Sequence, residues 1–241
     1  MLAKTAPTPR APKMPSEDRR RQLLRVAIDT FARNGFSGTK TKDIAAAAEV
    51  SEAILFRHFA SKEDLYHAIL DMKGSHGSDQ HLIKELRAFA NLRDDAGLFR
   101  HLATHIVASF RDDPAFQRLM LYATLEGHLL AHLFRERFAL PTGNFLMEYV
   151  ALRQKEGAFR KGHPAVLVTF AIGPIVQYAM GQYVFAGKKR FLPDDTVVEE
   201  LTELVMSGIV SRDAKGATPK LVNGKLVNGK IANGRIGNGR I

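Results

Sequence analysis

The stretch Thr41–Phe59, TKDIAAAAEVSEAILFRHF, decides the fold of the N-terminal part of the chain. Its apolar spacing predicts one short helix from about Thr41 to Ala48 and a second from about Glu52 to Phe59. Five apolar side chains can close a small core between these helices: Ile44, Ala48, Val50, Leu55 and Phe59. A helix-turn-helix uses such a core to hold its second helix at a steep angle, so that this helix can enter the DNA major groove. The same pattern also fits an ordinary pair of packed helices in an all-α protein.

Further helices flank this pair on both sides. Apolar residues at helical spacing predict a preceding helix that is capped by Ser16 and ended by Asn34-Gly35. Ser61 is expected to cap the helix that follows the pair. We therefore assign residues 16–75 to one domain, with the helix-turn-helix at about 40–59.

The rest of the folded chain also has helical spacing. Helices are predicted near residues 80–92, 96–111, 114–138, 142–157, 164–186 and 194–211. No segment alternates apolar and polar residues between turn residues, so no sheet is expected. The sequence thus predicts an all-α protein, in which an N-terminal three-helix helix-turn-helix domain is followed by a second helical domain over residues 76–211.

The net charge of +10 is concentrated at the two ends of the chain. Residues 1–25 hold seven Lys and Arg against two acids, and residues 211–241 hold seven against one. Residues 1–15 include four prolines, which predict a disordered basic arm. Residues 212–241 form a basic, low-complexity tail with the units LVNGK, LVNGK, IANGR and IGNGR, whose five-residue period fits neither helix nor strand. Basic ends are typical of weak, sequence-independent attraction to nucleic acid, and equally of simple solubility.

Cysteine is absent from the sequence, which excludes disulfides, thiol nucleophiles and cysteine-based zinc sites. The first fifteen residues lack the apolar stretch that a secretory signal needs. Both features fit a cytoplasmic protein, and no cofactor is expected.

Residues 31–70, FARNGFSGTKTKDIAAAAEVSEAILFRHFASKEDLYHAIL, resemble the N-terminal domain of the tetracycline-repressor (TetR) family almost throughout. The shared features are Phe31, Gly35, Phe36, Thr39, Ile44, Ala45, Ala48, Val50, Ser51, Leu55, Phe56, His58, Phe59, Lys62 and Leu65. The resemblance implies a ligand-responsive transcriptional regulator, acting as a repressor that binds a palindromic operator as a homodimer. Its partners would be double-stranded DNA, a partly apolar small-molecule effector and a second copy of the chain.

The family implies DNA-binding roles for ten residues of this stretch. Thr41 and Lys42 would contact phosphates, Ser51 would cap the recognition helix, Glu52, Ala53 and Ile54 would face base edges, Phe56, Arg57 and His58 would lie at the groove wall, and Lys62 would pair with phosphate. Two positions depart from the family pattern. Glu49 replaces a preferred Gly in the turn, and Phe56 replaces a Tyr and lacks its hydroxyl.

The same resemblance places the effector pocket and the dimer interface in the second domain. The candidate pocket residues are Arg118, Tyr122, Glu126, Phe145, Tyr149 and Phe170. The candidate interface residues are Val197, Leu201, Leu204 and Val205. The stretch 164–187 carries no charge over 24 positions and is long enough to span a bilayer. Its polar side chains favour an interface helix over membrane insertion.

Two other functions stay open at this point. His101/His105 and His128/His132 are pairs at i,i+4 on predicted helices, a spacing that can bind a metal, so a helical metal-dependent enzyme is one alternative. The sequence has no Cys and no HExxH motif, and we assign neither a metal site nor a catalytic residue. The other alternative is a nonspecific DNA-compacting protein driven by the basic ends.

Overall fold

The computed structural model describes residues 15–75, 78–185 and 192–211, together with the strand segments Lys220–Val222 and Lys225–Val227. The helices in these ranges are α1 Ser16–Gly38, α2 Thr41–Ala47, α3 Glu52–His58, α4 Lys62–Ser75, α5 Ser78–Leu92, α6 Asp95–Asp112, α7 Pro114–Leu125, α8 Leu129–Phe134, α9 Leu140–Lys155, α10 Pro164–Met180 and α11 Asp194–Ile209. Two π-helical turns, Arg135–Ala139 and Gly181–Phe185, directly follow α8 and α10. The predicted helical class of both domains is confirmed.

The predicted helix ends in the N-terminal domain are partly confirmed. Regular helical geometry in α1 is interrupted at Gly35, whose φ of +70° lies in the left-handed region that favours glycine. Ser61 caps α4, because the Asp64 N–H donates to its Oγ at 3.0 Å. The cap predicted at Ser16 is wrong, since this residue lies in the first turn and Pro15 occupies the N-cap position without a side-chain hydrogen bond.

The predicted helices over 114–138 and 142–157 are divided at the wrong place. α7 ends at Leu125, where Gly127 with φ +62° provides the left-handed residue that stops the helix. From Leu129 the chain then stays helical to Lys155, through the π-helical turn at 135–139. Pro141 has no N–H to continue the helical hydrogen bonds, and the widened turn just before it allows the helix to pass this position.

The described helices pack around adjoining apolar cores. α1, α2, α3 and α4 form the first core together with α7 and α8, which contribute Phe116, Leu119, Ala123 and Leu130. α5, α6, α9, α10 and α11 form the second, which includes Leu86, Leu146 and Phe159, and a smaller cluster joins α6, α10 and α11. The core of residues 16–75 is thus completed by helices from the second half of the chain.

Two features among the described residues depart from the helical class: an isolated antiparallel bridge between Phe159 and Val210, and a pair of short strands in the tail. Lys220–Val222 and Lys225–Val227 pair as antiparallel strands β1 and β2, with Leu221 opposite Leu226. The expectation of no sheet therefore does not hold for these six tail residues. The predicted arm, apart from Pro15, and the rest of the predicted tail, 212–219 and 228–241, lie outside the described residues.

Candidate nucleic-acid interface and effector cleft

α2 and α3 form a rigid pair with one exposed face. Ile44 of α2, Leu55 of α3 and Phe59, which follows α3, are all buried in the same core. The turn between the helices contains Glu49, whose φ is +56°. The predicted helix-turn-helix core is therefore present, since its other predicted members, Ala48 and Val50, are buried and half-buried.

The outward face of α3 carries most of the residues that the family resemblance assigns to base edges and the groove wall. Glu52, Ala53, Phe56 and Arg57 are exposed, whereas Ile54 and His58 are half-buried. Phe56 leaves 46% of its surface in solvent, so this helix presents an aromatic ring on its outward face. We call this exposed surface of α3 the reading face.

Thr41 and Glu52 connect the N-terminal ends of α2 and α3. The Thr41 hydroxyl donates to Glu52 Oε1 at 2.7 Å, which fixes the direction of a carboxylate on the reading face. Lys42, next to Thr41, is exposed and points into solvent. The predicted phosphate role of Lys42 is thus sterically open, while the hydroxyl of Thr41 already has a partner.

Ser51 and Lys62 have different surroundings from those predicted. Ser51 occupies the N-cap position of α3, but its hydroxyl makes no capping hydrogen bond. Lys62 does not point outward: its Nζ donates to the Phe36 carbonyl and lies 4.0 Å from the centroid of the Phe36 ring. Burial lowers the pKa of Lys62. The phosphate role of Lys62 therefore has no support in its position, because the ammonium is used inside the domain.

A polar joint, formed by Phe36, Lys62, Glu126 and His128, connects the two halves of the chain. The Phe36 N–H donates to Glu126 Oε2 at 3.1 Å. The His128 ring lies 4.0 Å from the Phe36 ring and 4.8 Å from the Tyr66 ring, centroid to centroid. Burial lowers the pKa of His128 and raises that of Tyr66. This joint was not predicted from the sequence, although Glu126, Gly127 and His128 together form the break after α7.

Gly35 allows the joint to close. A Cβ atom at this position would lie 2.6 Å from Glu126 Oε1, which is closer than real side chains approach one another. The positive φ favours glycine here, and any side chain at this position would also have to displace the Glu126 carboxylate.

Two adjoining cavities form a cleft between α6, α7, α8 and the turn after α10. The first has a volume of about 440 Å³ and is lined by Lys73, His105, Ala108, Ser109, Asp112, Asp113, Phe116, Gln117, Phe134 and Phe138. The second has a volume of about 210 Å³ and is lined by Phe110, Gln117, Met120, Leu121, Thr124, Ala131, Phe134, Met180 and Val184. Gln117 and Phe134 line both cavities, so we treat the two as one cleft.

The six predicted pocket residues do not line this cleft. Arg118 donates to the Val184 carbonyl at 3.3 Å, and Tyr149 donates to Asp95 at 2.5 Å. Tyr122 and Glu126 face Gly35, while Phe145 and Phe170 lie on α9 and α10. For the three residues on α7 and just after it, the reason is the orientation of that helix, whose residues 117, 120, 121 and 124 line the cleft instead.

A larger groove of about 830 Å³ lies between α1 and α4. Its walls are mostly charged, with Arg20, Arg21, Arg25, Glu17, Asp29, Asp71, Lys73 and Asp113 among them. A partly apolar effector fits this groove less well than it fits the cleft.

The predicted dimer residues are only partly on the surface. Val197 and Val205 are buried within the protomer, and Leu201 is half-buried, whereas 62% of Leu204 is exposed. Other large apolar side chains exposed on α10 and its π-helical turn are Val166, Phe170 and Phe185. We call Leu204 and these three residues the α10–α11 apolar face.

The helix Pro164–Phe185 is, among the described residues, the single one long and apolar enough to cross a membrane, judged by length and composition. In the part of the chain that the structure describes, no group of three or more His, Asp or Glu residues is arranged to hold a metal ion. Of the paired histidines, His101 bonds to Glu85 at 2.9 Å and His128 is packed in the joint.

Known proteins are similar to this chain in sequence and in fold. Residues 23–69 match the profile of "Bacterial regulatory proteins, tetR family". Over 195 residues the chain is 25% identical to the uncharacterized HTH-type transcriptional regulator YvkB of Bacillus subtilis, which covers 78% of this chain and 96% of that protein. Over 73 residues it is 38% identical to an HTH-type transcriptional repressor of Mycobacterium tuberculosis, which covers 30% of this chain and 39% of the repressor.

Solved structures extend the similarity beyond the helix-turn-helix. The crystal structure of AibR in complex with isovaleryl coenzyme A and operator DNA matches with a TM-score of 0.61 at 20% sequence identity. This match covers 77% of the present chain and 97% of AibR, so the two proteins share the fold of both halves.

Proposed function

We propose that the chain is a helix-turn-helix transcriptional regulator of the TetR family, whose profile matches residues 23–69, and that it acts as a homodimeric repressor of a palindromic operator, released by a small, partly apolar effector. The single observation that carries the proposal is the reading face, a short helix with exposed Glu52, Ala53 and Phe56 on a buried support. Such a protein acts on chromosomal DNA, and we propose that it is cytoplasmic.

Contact with DNA would begin at the reading face. α3 is seven residues long and exposes its first residues, the part of a recognition helix that meets base edges in the major groove. Lys42 on α2 and Arg57 near the C-terminal end of α3 are exposed and would contact phosphates, which fix orientation without reading sequence. Ala53 and Ile54 offer apolar contact to thymine methyl groups.

The response to an effector would be transmitted through α7. One stripe of this helix, with Gln117 and Leu121, lines the cleft. Its C-terminal end carries Glu126, which accepts the Phe36 N–H at the end of α1. A molecule that enters the cleft and displaces α7 would therefore pull on α1, and α1 supports α2. The effector would favour a conformation in which α7 and α1 are displaced, whereas DNA would favour the undisplaced one. Binding of either would then weaken binding of the other.

Dimerisation would use the α10–α11 apolar face. Leu204, Val166, Phe170 and Phe185 expose apolar surface on one protomer, and two copies related by a two-fold axis would cover it. Two-fold symmetry would place two reading faces on two half-sites about one helical turn apart. The operator would then be an inverted repeat. AibR, which has this fold, forms a complex with isovaleryl coenzyme A and operator DNA, and this supports a regulator that binds both a small molecule and DNA.

The decisive experiment selects bound sequences from a random duplex pool with the full-length protein. We expect an inverted repeat, and at least about 1,000-fold tighter binding to it than to unrelated DNA at physiological salt. Competitor DNA of random sequence should not displace the selected duplex. If random DNA displaces the selected duplex completely, the proposal of a transcriptional regulator is wrong and the DNA-compacting alternative is supported.

A further inference from the structure

We infer that the effector is an uncharged, largely aromatic molecule with one hydrogen-bonding group, held in the cleft between Phe116, Phe134 and Phe138. The inference rests on the proposed function, since it names the ligand class of the cleft that would control DNA binding. It follows from the rings that line the cleft and from the pairing of every formally charged lining residue.

Three phenylalanine rings form one wall of the larger cavity. Phe116 and Phe134 are packed edge to face with centroids 5.8 Å apart, and Phe134 and Phe138 lie 5.1 Å apart. Offset and edge-to-face contacts are the arrangements that aromatic rings prefer. A flat aromatic ligand can extend this cluster by one more ring, and the cavity of about 440 Å³ lies in the usual size range of small-molecule sites.

The smaller cavity continues the apolar surface. Met120 and Met180 line it together with Leu121 and Val184. Methionine side chains are flexible and make favourable contacts with ring edges, so this end of the cleft can adapt to substituents. Because Phe134 belongs to both cavities, a ligand that fills both must contact it.

The charged lining residues already have partners. Lys73 Nζ is bonded to Asp113, and it also lies 5.2 Å from the centroid of the Phe116 ring. Asp113 caps α7 as well, since its Oδ1 accepts the Phe116 N–H at 3.0 Å. Asp112 is 65% exposed and pairs with Arg111. A charged ligand would therefore lose part of its hydration beside charges that already neutralise one another, and that loss is costly beside the aromatic wall.

Gln117 supplies the hydrogen-bonding group for an uncharged ligand. It lies where the two cavities meet, and its amide N–H donates to the Ser109 carbonyl at 3.4 Å, a long bond. An amide can both donate and accept, so a hydroxyl or carbonyl on the ligand would be recognised here without any change of charge.

The test compares three probes of one size on the full-length protein at pH 7 in the absence of DNA. They are 2-naphthylmethanol, 2-naphthoate and 2-naphthylmethylammonium, titrated by calorimetry. We expect the Kd of the neutral alcohol to be at least about 10-fold lower than that of either ion, in proportion to the cost of burying an unpaired charge. Tighter binding of either ion, or no binding of the alcohol, would overturn the inference.

Two variants locate the binding and test the charge argument. Phe134→Ala should weaken binding of the alcohol at least about 10-fold, whereas Phe145→Ala, a matched change on α9, should leave it unchanged. Lys73→Met should leave Asp113 without its ammonium, so the cationic probe should gain affinity while the alcohol changes little. An unchanged cationic probe would show that the pairing does not set the ligand class.

Failure of this inference and failure of the proposed function give different results. If the protein selects an inverted repeat but none of the probes binds, the regulator stands and the ligand class is wrong. If the alcohol binds as expected but no operator is selected, the cleft is a ligand site of a protein with another function.

Discussion

Glu49 adopts a backbone conformation that glycine reaches at much lower cost. Its φ is +56°, in the turn between α2 and α3. A non-glycine residue pays about 1 kcal/mol in the left-handed region. We expect Glu49→Gly to raise the free energy of unfolding by up to about 1 kcal/mol, seen as a higher urea midpoint. Ala47→Gly, an exposed helical position two residues earlier, should instead lower it by about 1 kcal/mol. Equal effects at both positions would show that the turn is not strained.

Lys42 and Glu52 should differ in their effects on DNA binding. Lys42→Ala removes one exposed cation, so binding should weaken about equally for all sequences, and the slope of log K against log salt should decrease by about 0.9. Glu52→Gln keeps the shape but loses the charge of the carboxylate that Thr41 orients. It should change the base preferred at one position of each half-site. Sequence selection with both variants checks this, and a shifted preference for Lys42→Ala would contradict the assignment.

Single residues also show where sequence reasoning was insufficient. The core positions Ile44, Leu55 and Phe59 were predictable, because their spacing on short helices leaves one packing solution. Lys62 was not, since a long, flexible side chain at a domain edge can reach either a phosphate or a carbonyl. Its partner, the Phe36 carbonyl, is 26 residues away in the chain and becomes adjacent only through the fold.

α7 is the element on which both halves of the molecule depend. It lines the cleft with one stripe of side chains and packs against α1 with the others. The sequence predicted a helix here but not its rotation, because Tyr122 and Leu121 are both apolar enough to be buried. The candidate pocket residues on this helix, Arg118, Tyr122 and Glu126, belong to a different stripe from the one that lines the cleft, and the break at Glu126–His128 was not predicted.

The joint at the end of α7 should make stability depend on pH. Burial against the Phe36 and Tyr66 rings lowers the pKa of His128, and nearby Glu126 and Glu63 only partly oppose this. The unfolded chain therefore binds a proton more readily than the folded one. Stability should be lost as the pH falls below about 6.5, the ordinary histidine value.

The measurement for this effect is the urea midpoint at pH 7.5 and at pH 5.5. His128→Asn keeps an acceptor for the Leu130 N–H and removes the titrating ring. We expect a smaller acid-induced fall for this variant than for the wild type. His132→Asn, an exposed position one turn later, should behave like the wild type. Parallel pH curves for all three proteins would exclude His128 as the cause.

On the scale of the whole molecule, the apolar face should determine the oligomeric state. Phe170 contacts α11 at Gly208, one turn from the exposed Leu204. We expect sedimentation of the full chain to give about twice the 26.7 kDa protomer mass at micromolar concentration. Phe170→Glu with Leu204→Glu should give folded monomers that lose operator binding. Leu92→Glu with Leu152→Glu, also at exposed apolar positions, should leave the dimer intact.

The dimer face also shows what a helical pattern can and cannot predict. The apolar stripe of α11 was visible in the sequence, but one stripe can serve either the protomer core or a second copy. The structure uses Val197 and Val205 for the core and leaves Leu204 exposed. Only the packing of α6 against α11 decides between the two uses, and that packing depends on residues nearly a hundred positions apart.

The first core determines which part of this protein could be exchanged between relatives. Four residues beyond residue 75 complete the core of the helices α1 to α4: Phe116, Leu119, Ala123 and Leu130. A chimera joined at residue 75 would place side chains of another protein against the core that contains Phe31 and Tyr66. The helices of residues 16–75 would then pack poorly against the second half. The unit that can be exchanged between proteins is therefore discontinuous in sequence. A chimera must take α7 and α8 from the same protein as residues 16–75. Recombination between proteins of this fold would be expected to keep these segments together, because the cleft and the helix-turn-helix are both built on α7.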